Sequence, residues 1–323
     1  MKRVIIDTDP GVDDALALFL ALRSPELQVE AITTVAGNVH VEDCTRNVFV
    51  LLELLKPERL PVVAQGAASP LQRELRPAPE VHGSDGLGEL SRYRNADGLP
   101  RYPEPQVSLP RVGAADLILE LVSRYAGEIT LITLGPLTNV AQALLRDRDT
   151  MRSVQQIVSM GGTIFVPGNT SAVAEFNIAT DPEAAKIVID SGLPLTLIPL
   201  DVTERVRLSR EALQTWMEPL ADPPAQFLLD CTADIITFSE RWEGFTGIIL
   251  HDPLTVGVVI DPKLVTTHPL SVQVETQGEI TTGMTVADRR PVRAERRPNV
   301  EVALEVDADR FLSLFMDRLC QRS

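Results

Sequence analysis

The sequence contains little cysteine. Its three cysteines, Cys44, Cys231 and Cys320, are scattered among 323 residues, and no two of them form a CxxC pair. Such a set excludes a disulfide framework and a cysteine-based zinc site, and it predicts a reducing compartment. Aromatic residues make up only 4% of the chain, which argues against strips of rings on which nucleic-acid bases stack.

Positive charge and long apolar runs are also scarce. The chain has 30 Lys and Arg against 45 Asp and Glu, a net charge of −15. This acidity argues against nucleic acid and anionic membranes as partners and suits a protein that gathers cations. The longest apolar run, residues 15–22, is far shorter than the ~20 residues that span a bilayer. The run at residues 4–6 is too short for a signal peptide, so we expect a cytoplasmic protein.

The remaining composition is that of a globular protein, with 44% hydrophobic and 23% charged residues. Patterns of buried strands at residues 4–6, 29–35, 129–134, 157–160 and 195–200 alternate with helical patterns at 13–22, 41–55, 114–125, 137–145 and 182–190. This alternation predicts βαβ units with a parallel sheet.

We therefore predict a single α/β domain over residues 1–323, with a mostly parallel central sheet flanked by helices. Residues 70–110, rich in Pro, Gly and Arg, predict an irregular excursion, and residues 209–245 predict a helical insertion. Further strands are expected at 270–275, 281–286 and 300–306, followed by a closing helix from Asp307. Ligands of such sheets bind at the carboxyl ends of the strands, so polar residues there are candidates for a site.

Four carboxylates stand where the first predicted strand meets the first helix: Asp7, Asp9, Asp13 and Asp14. Helix capping alone explains Asp13 and Asp14, because acidic residues in a first turn complement the helix dipole. It does not explain Asp7 and Asp9, and crowded carboxylates repel unless cations or protons neutralise them. We favour a metal site, and oxygen ligands without cysteine indicate Ca²⁺ or Mg²⁺. An EF-hand is excluded, because Leu18 stands where its bidentate glutamate belongs.

Other polar segments follow apolar runs, and each has a purely structural alternative. Residues 37–38 and 134–139 also indicate turns, although turn carbonyls are good ligands for hard cations. The loop at residues 161–177 offers amide and carboxylate groups suited to the hydroxyls of a sugar. His251 precedes Asp252, and a structural role is the more common one for a lone histidine. The sequence has no serine nucleophile elbow, P-loop or complete GxGxxG motif.

Six segments together resemble the nucleoside hydrolase family, the inosine–uridine-preferring N-ribohydrolases. They are DTDPGVDDA at 7–15, AITTVAGN at 31–38, VHGSDGLG at 81–88, MGG at 160–162, AEFN at 174–177 and HDP at 251–253. The resemblance extends from residue 4 to about residue 289. It implies a Rossmann-like nucleoside hydrolase fold and calcium-dependent hydrolysis of ribonucleosides to ribose and free base.

The resemblance also implies a role for each matching residue. The Ca²⁺ ligands would be the carboxylates of Asp9, Asp14 and Asp252 and the backbone carbonyl of Leu134. The ribose would be bound by five side chains, at the 2′- and 3′-hydroxyls by Asp13, Asn38 and Asn177 and at the 5′-hydroxyl by Asn169 and Glu175. Met160 would line the sugar pocket, and His82 would belong to a mobile loop near the site.

The implied chemistry agrees with the residues present. Cleavage of an N-ribosidic bond passes through an oxocarbenium-like ribosyl cation, which nearby carboxylates stabilise. Ca²⁺ can orient and acidify a water beside C1′, and Asp9 is the candidate base for that water. His251 is the candidate proton donor to the leaving base. The segment at residues 233–247 is expected to approach the base, but it does not match tyrosine-bearing members and offers Phe238, Trp242 and Phe245 instead. For Trp242, stacking on the base and a role in the core or at the rim both remain open.

Two other functions remain open from the residues. Asp7 and Asp9 after a strand also resemble the D-x-D of haloacid dehalogenase-type phosphatases, with Asp7 as nucleophile and Mg²⁺ bound, although the later lysine and acidic pair are not evident. A non-catalytic nucleoside-binding protein would keep the sugar ligands without needing Asp9 or His251. Since both are present, we favour the enzyme, acting on a small-molecule ribonucleoside as a homodimer or homotetramer.

Overall fold

The computed structural model describes residues 1–242, 244–290 and 297–320. Within them the strands are β1 (Lys2–Thr8), β2 (Leu27–Thr34), β3 (Val62–Gln65), β4 (Ile129–Thr133), β5 (Gln156–Met160), β6 (Leu195–Ile198), β7 (Arg207–Ser209), β8 (Gly247–Ile249), β9 (Val265–Leu270), β10 (Val272–Val274), β11 (Thr285–Ala287) and β12 (Val300–Val306). The helices are α1 (Val12–Leu22), α2 (Val41–Leu55), α3 (Pro79–His82), α4 (Ala114–Arg124), α5 (Thr138–Arg146), α6 (Arg148–Met151), α7 (Phe176–Thr180), α8 (Pro182–Ile189), α9 (Leu200–Thr203), α10 (Arg210–Met217), α11 (Pro223–Trp242), α12 (His251–Ile260) and α13 (Ala308–Cys320).

An eight-stranded sheet in the order β3-β2-β1-β4-β5-β6-β12-β9 forms the centre of the molecule. Neighbouring strands are parallel except β12 and β9, which are antiparallel. The mostly parallel sheet of a single α/β domain is therefore confirmed. The chain runs outward from β1 to β3 and then returns to β4 beside β1. A crevice opens where the strand order reverses in this way, and ligands of open α/β sheets bind there.

Strand residues supply both faces of the sheet with apolar side chains. On β1, Val4 and Ile6 pack in the cluster formed with α1, α2, α11, α12 and α13, whereas Ile5 packs with α4, α5 and α8 on the other face. All three side chains are fully buried, and burying each one contributes about 1.5–3 kcal/mol. The continuous apolar runs of the sequence thus correspond to strands covered on both faces.

The structure differs from the sequence-based prediction at the sheet edges. The strand predicted at 270–275 is wrong in its bounds: β9 ends at Leu270, and β10 pairs with β11 in a separate two-stranded sheet. The sequence also misses β3 and β9. Both lie at the edges of the central sheet. The middle of β9 is exposed and lacks the apolar pattern of a buried strand, and β3 is apolar but only four residues long.

The two irregular regions of the chain lie against each other. Residues 66–113 contain the short α3 and one 3₁₀ turn, and two ion pairs, Arg92–Asp234 and Arg101–Asp230, attach them to α11. Residue 243, within the helical insertion predicted at 209–245, lies outside the described residues, as do 291–296 and 321–323. No helix in the described part of the chain is long and apolar enough to cross a membrane.

Candidate active site

A cleft of about 390 Å³ opens at the carboxyl ends of β1 and β4, where the strand order reverses. Its walls come from the loop before α3, the loop before α7, helix α11 and the start of α12. The lining residues include most of the predicted site: Asp13, Asn38, His82, Leu134, Met160, Asn169, Glu175, Asn177, His251 and Asp252. Segments far apart in the chain therefore meet in one place.

Three carboxylates form a cluster at the floor of this cleft. One oxygen each of Asp13, Asp14 and Asp252 lies within 4.8 Å of the other two. Asp13 and Asp14 are in the first turn of α1, and Asp252 is in the first turn of α12. Two helix N-termini thus face the cluster, and their partial positive charge favours anionic side chains there.

Hydrogen bonds hold Asp14 rigidly in this cluster. Its Oδ1 accepts from the Thr8 hydroxyl at 2.5 Å, and its Oδ2 accepts from the Gly11 N–H and the Asn38 side-chain amide, both at 3.0 Å. Asn38 also donates its backbone N–H to Asp9 Oδ2 at 2.8 Å. The predicted sugar ligand Asn38 therefore also fixes two of the predicted metal ligands.

Asp9 is buried beneath the cleft and keeps one oxygen unused. Among the described residues, Oδ1 has no hydrogen-bond partner. Gly37 and Gly135 make room for this carboxylate, because a Cβ at these positions would lie 2.0 Å from Oδ2 and 2.4 Å from Oδ1 respectively. A buried oxygen without a donor, close to three further carboxylates, fits a hard cation.

Burial raises the pKa of the clustered carboxylates and of Asp9. Burial raises the pKa of Asp13 to about 8, with the Asp14 charge as the next cause. Burial likewise raises the pKa of Asp9 and of Asp252 well above the usual value, and neighbouring aspartates add to it in both cases. In the absence of a cation, folding therefore favours the protonated forms of these groups.

This gives a pH dependence that can be measured on the chelated protein. An acid whose pKa rises on folding stabilises the fold below its unfolded pKa, and the contribution disappears as pH rises through the folded value. Between about pH 5 and about pH 8 the free energy of unfolding should fall by on the order of 2–4 kcal/mol. Urea titrations with chelator check this, and with calcium present the decline should be much smaller. A stability that rises over this range in chelator would contradict it.

Asn177 and Leu134 are directly linked. The Asn177 side-chain amide donates to the Leu134 carbonyl at 2.6 Å and lies 3.4 Å from the Met160 carbonyl. The amide nitrogen thus orients the carbonyl that the sequence predicts as a metal ligand. The amide oxygen of Asn177 is not used in either contact and remains an acceptor for a hydroxyl in the cleft.

Glu175 and Asn169 organise the loop that covers the other end of the cleft. Glu175 caps α7, accepting from the N–H of Asn177 at 2.8 Å and of Ile178 at 3.1 Å, and it also accepts from the Gly162 N–H at 2.9 Å. Burial raises the pKa of Glu175 to about 7. Asn169 accepts from the Phe176 N–H at 2.9 Å, so its amide nitrogen is left to donate.

Two histidines, His82 and His251, line the cleft. His251 Nδ1 lies 2.8 Å from the Thr203 hydroxyl, and His82 Nδ1 accepts from the Val12 N–H at 3.2 Å. Burial lowers the pKa of each ring to about 4, and His251 adds to the lowering at His82. Both rings are therefore neutral in the free cleft at neutral pH.

The structure does not bring Trp242 or Asp7 into the cleft. Trp242, the last residue of α11, is 66% exposed, whereas Phe238, one turn earlier, lines the cleft. Asp7 is fully buried, and its Oδ1 accepts from Thr33 at 2.5 Å and Asn139 at 2.8 Å. Asp7 does not line the cleft and its Oδ1 is occupied by two donors, so the geometry does not favour it as the nucleophile of a phosphatase.

Sequence reasoning missed several residues of the site. Ile235 and Ser239 line the cleft from α11 beside the expected Phe238, and Thr203 contacts His251 from α9. The helical spacing of the α11 residues is a signal that could have identified them together. Thr203 carries no such signal, because it resembles any buried threonine in a short helix.

Comparison with known proteins agrees with this geometry. The family model described as "Inosine-uridine preferring nucleoside hydrolase" matches residues 4–313. The pyrimidine-specific ribonucleoside hydrolase RihA of Escherichia coli O9:H4 (strain HS) is 40% identical over 318 residues, which cover 98% of this chain and 97% of that protein.

Solved structures of nucleoside hydrolases have the same fold as this chain. A purine-preferring ribonucleoside hydrolase from Gardnerella vaginalis superposes with a TM-score of 0.89 at 34% identity, covering 99% of this chain and 98% of its own. The plant nucleoside hydrolase PpNRh1 superposes with a TM-score of 0.89 at 35% identity, covering 99% of each chain.

Proposed function

Because this chain belongs to the inosine-uridine preferring nucleoside hydrolase family, we propose that it hydrolyses ribonucleosides by a calcium-dependent mechanism in the cleft between β1 and β4. The chain is a ribonucleoside hydrolase, and thus an N-glycosyl hydrolase. The observation that carries the mechanistic proposal is that an acidic cluster and several sugar-suited side chains share one cleft. The whole chain, residues 1–323, would act as one hydrolase domain.

The proposed metal ligands are the carboxylates of Asp9, Asp14 and Asp252 and the carbonyl of Leu134. The unused Asp9 oxygen and the raised pKa values of the cluster support this choice. Carboxylate and carbonyl oxygens in this number suit Ca²⁺ better than the strict octahedron of Mg²⁺. When bound, the ion would supply positive charge that acidifies water and binds sugar hydroxyls.

The remaining polar groups of the cleft are proposed to bind ribose. Asp13, Asn38 and Asn177 would bind the 2′- and 3′-hydroxyls. Asp13 belongs to the acidic cluster, and the two amides contact Asp14 and the Leu134 carbonyl. At the other end of the cleft, Asn169 and Glu175 would bind the 5′-hydroxyl, and Met160 would line the sugar pocket. Hydroxyls can pair with both the donors and the acceptors of such a site.

In the proposed reaction the bond between C1′ and the base nitrogen breaks, and its electron pair leaves with the base. The ribosyl cation that develops is stabilised by the carboxylates below it. Asp9, whose Oδ1 has no partner among the described residues, takes a proton from the attacking water. His251 donates to the leaving base from the wall of the cleft.

The role of His251 can be tested by varying the leaving group. The His251→Ala variant should lose about 10²–10⁴-fold in kcat/KM on inosine, the range typical of general acid catalysis. On p-nitrophenyl riboside, whose leaving group departs without a proton, the loss should be small. Steady-state kinetics on both substrates measures this asymmetry. Equal losses on the two substrates would mean that His251 only supports the neighbouring ligand Asp252.

One assay tests the proposed function directly. Release of base from inosine and from uridine should be measured with the calcium-loaded protein and again after chelation. The proposal expects turnover that chelator abolishes and added calcium restores. Turnover undiminished in chelator would overturn the calcium dependence, and absence of turnover on every ribonucleoside would overturn the activity.

A cytoplasmic location and a homodimeric or homotetrameric assembly complete the proposal. The three cysteines are free thiols, and Cys44 and Cys231 are buried, which supports a reducing compartment. Light scattering on the purified protein would determine the assembly, and a monomer would contradict that part of the proposal.

A further inference from the structure

We propose that Thr203 is a positioning residue that holds the His251 ring so that Nε2 faces the leaving base. This inference rests on the proposed role of His251 as proton donor. Thr203 is fully buried and does not line the cleft, whereas His251 does. Its hydroxyl lies 2.8 Å from His251 Nδ1, so the opposite ring nitrogen, Nε2, is the one directed into the cleft.

A single polar contact among the described residues orients the ring. In the part of the chain that the structure describes, the Thr203 hydroxyl is the hydrogen-bond partner observed for the His251 ring. A histidine side chain at the start of a helix can rotate about two bonds. Removing the hydroxyl would therefore leave the direction of Nε2 poorly defined.

Thr203 itself is held rigidly by α9. Its backbone N–H donates to the Pro199 carbonyl at 3.1 Å, and the Leu200 N–H donates to the Gly162 carbonyl at 3.0 Å. The neighbouring Asp201 accepts from the N–H groups of Ile164 and Phe165, both at 2.8 Å. Although α9 has only four residues, these hydrogen bonds anchor it and fix the position of the Thr203 hydroxyl.

A hydroxyl can hold a neutral imidazole ring in either of its two tautomers. It can accept from a protonated Nδ1 or donate to a bare one. A neutral ring protonated at Nε2 leaves Nδ1 bare, and the Thr203 hydroxyl can donate to it. The Nε2–H group can then donate a hydrogen bond to the leaving base, which gains negative charge as its bond to C1′ breaks.

The experiment compares Thr203→Val, which removes the hydroxyl at nearly constant volume, with Thr203→Ser, which keeps it. Thr203→Val should lower kcat on inosine by about 10–100-fold, part of the ~10²–10⁴-fold that general acid catalysis contributes. Its KM and its rate on p-nitrophenyl riboside should change little. Thr203→Ser should restore most of the lost kcat. Thr255→Val is the matched control, because Thr255 is equally buried and its hydroxyl lies 3.5 Å from the His251 carbonyl, not the ring.

Three results would overturn the proposal: equal losses on both substrates, no loss on inosine, or no rescue by serine. Thermal unfolding of each variant separates these effects from loss of the fold, and the calcium-induced shift in Tm should be unchanged. His251→Ala is measured alongside. If His251→Ala lacks the asymmetry, the acid role fails and this inference fails with it. If only Thr203→Val lacks it, the positioning role fails alone.

Discussion

The Asp252→Asn variant should be almost inactive and should no longer respond to calcium. Loss of one ligand from the cluster removes charge stabilisation of several kcal/mol, and about 4 kcal/mol corresponds to a loss of about 10³-fold in rate. Calcium at about 100 times its dissociation constant should stabilise the wild-type protein by about 2.7 kcal/mol, and this gain should disappear in the variant. Steady-state kinetics and calorimetry with and without calcium measure both effects.

The chelated state distinguishes loss of the metal from loss of the fold. Burial and the charges of Asp13, Asp14 and Asp9 raise the pKa of Asp252, so an uncharged asparagine removes repulsion within the cluster. At about pH 8 the chelated variant should be at least as stable as the chelated wild-type protein. Asp149→Asn is the control, because Asp149 is exposed and pairs with Arg152 at the surface. Full activity of Asp252→Asn, or a wild-type protein indifferent to chelator, would exclude the proposed metal site.

Nucleosides that lack the 2′-hydroxyl should be very poor substrates. A site built to bind a hydroxyl rejects the analogue without it by about 10⁴-fold, since its own buried polar groups are then left unpaired. Asp13, with 8% of its surface exposed, and Asn38, with 7%, both line the cleft and have little water available as a substitute. Comparing kcat/KM for inosine and 2′-deoxyinosine tests this expectation.

The Asp13→Asn variant identifies the group responsible. If Asp13 accepts from the 2′-hydroxyl, its replacement should lower activity on inosine much more than on 2′-deoxyinosine. The preference for ribose should therefore shrink by at least about tenfold. Asn169→Ala, at the opposite end of the cleft, should lower activity on both substrates and leave the preference unchanged. Equal rates of the wild-type enzyme on the two nucleosides would refute the assignment.

The sequence by itself determined the fold class and the family of this protein. Runs that are apolar on both faces, such as residues 129–134, are produced by parallel strands with helices on both sides. The acidic segment at residues 7–15 is contiguous, and its position between a strand and a helix is a local property. Those features can be recognised from the sequence because they depend on residues that are neighbours along the chain.

Tertiary structure decided which of these residues act together. Asn38 bonds Asp14 across 24 positions, and Asn177 bonds Leu134 across 43, so the shared roles of sugar and metal residues become visible only after folding. Folding likewise gives neighbouring aspartates different partners: Thr33 and Asn139 donate to Asp7, whereas Asn38 donates to Asp9 and Asp14. The end of α11 extends past the cleft, so Phe238 lines the cleft and Trp242 does not. Thr203 acquires its relation to His251 in the same way, since two short helices bring together side chains that no sequence spacing connects.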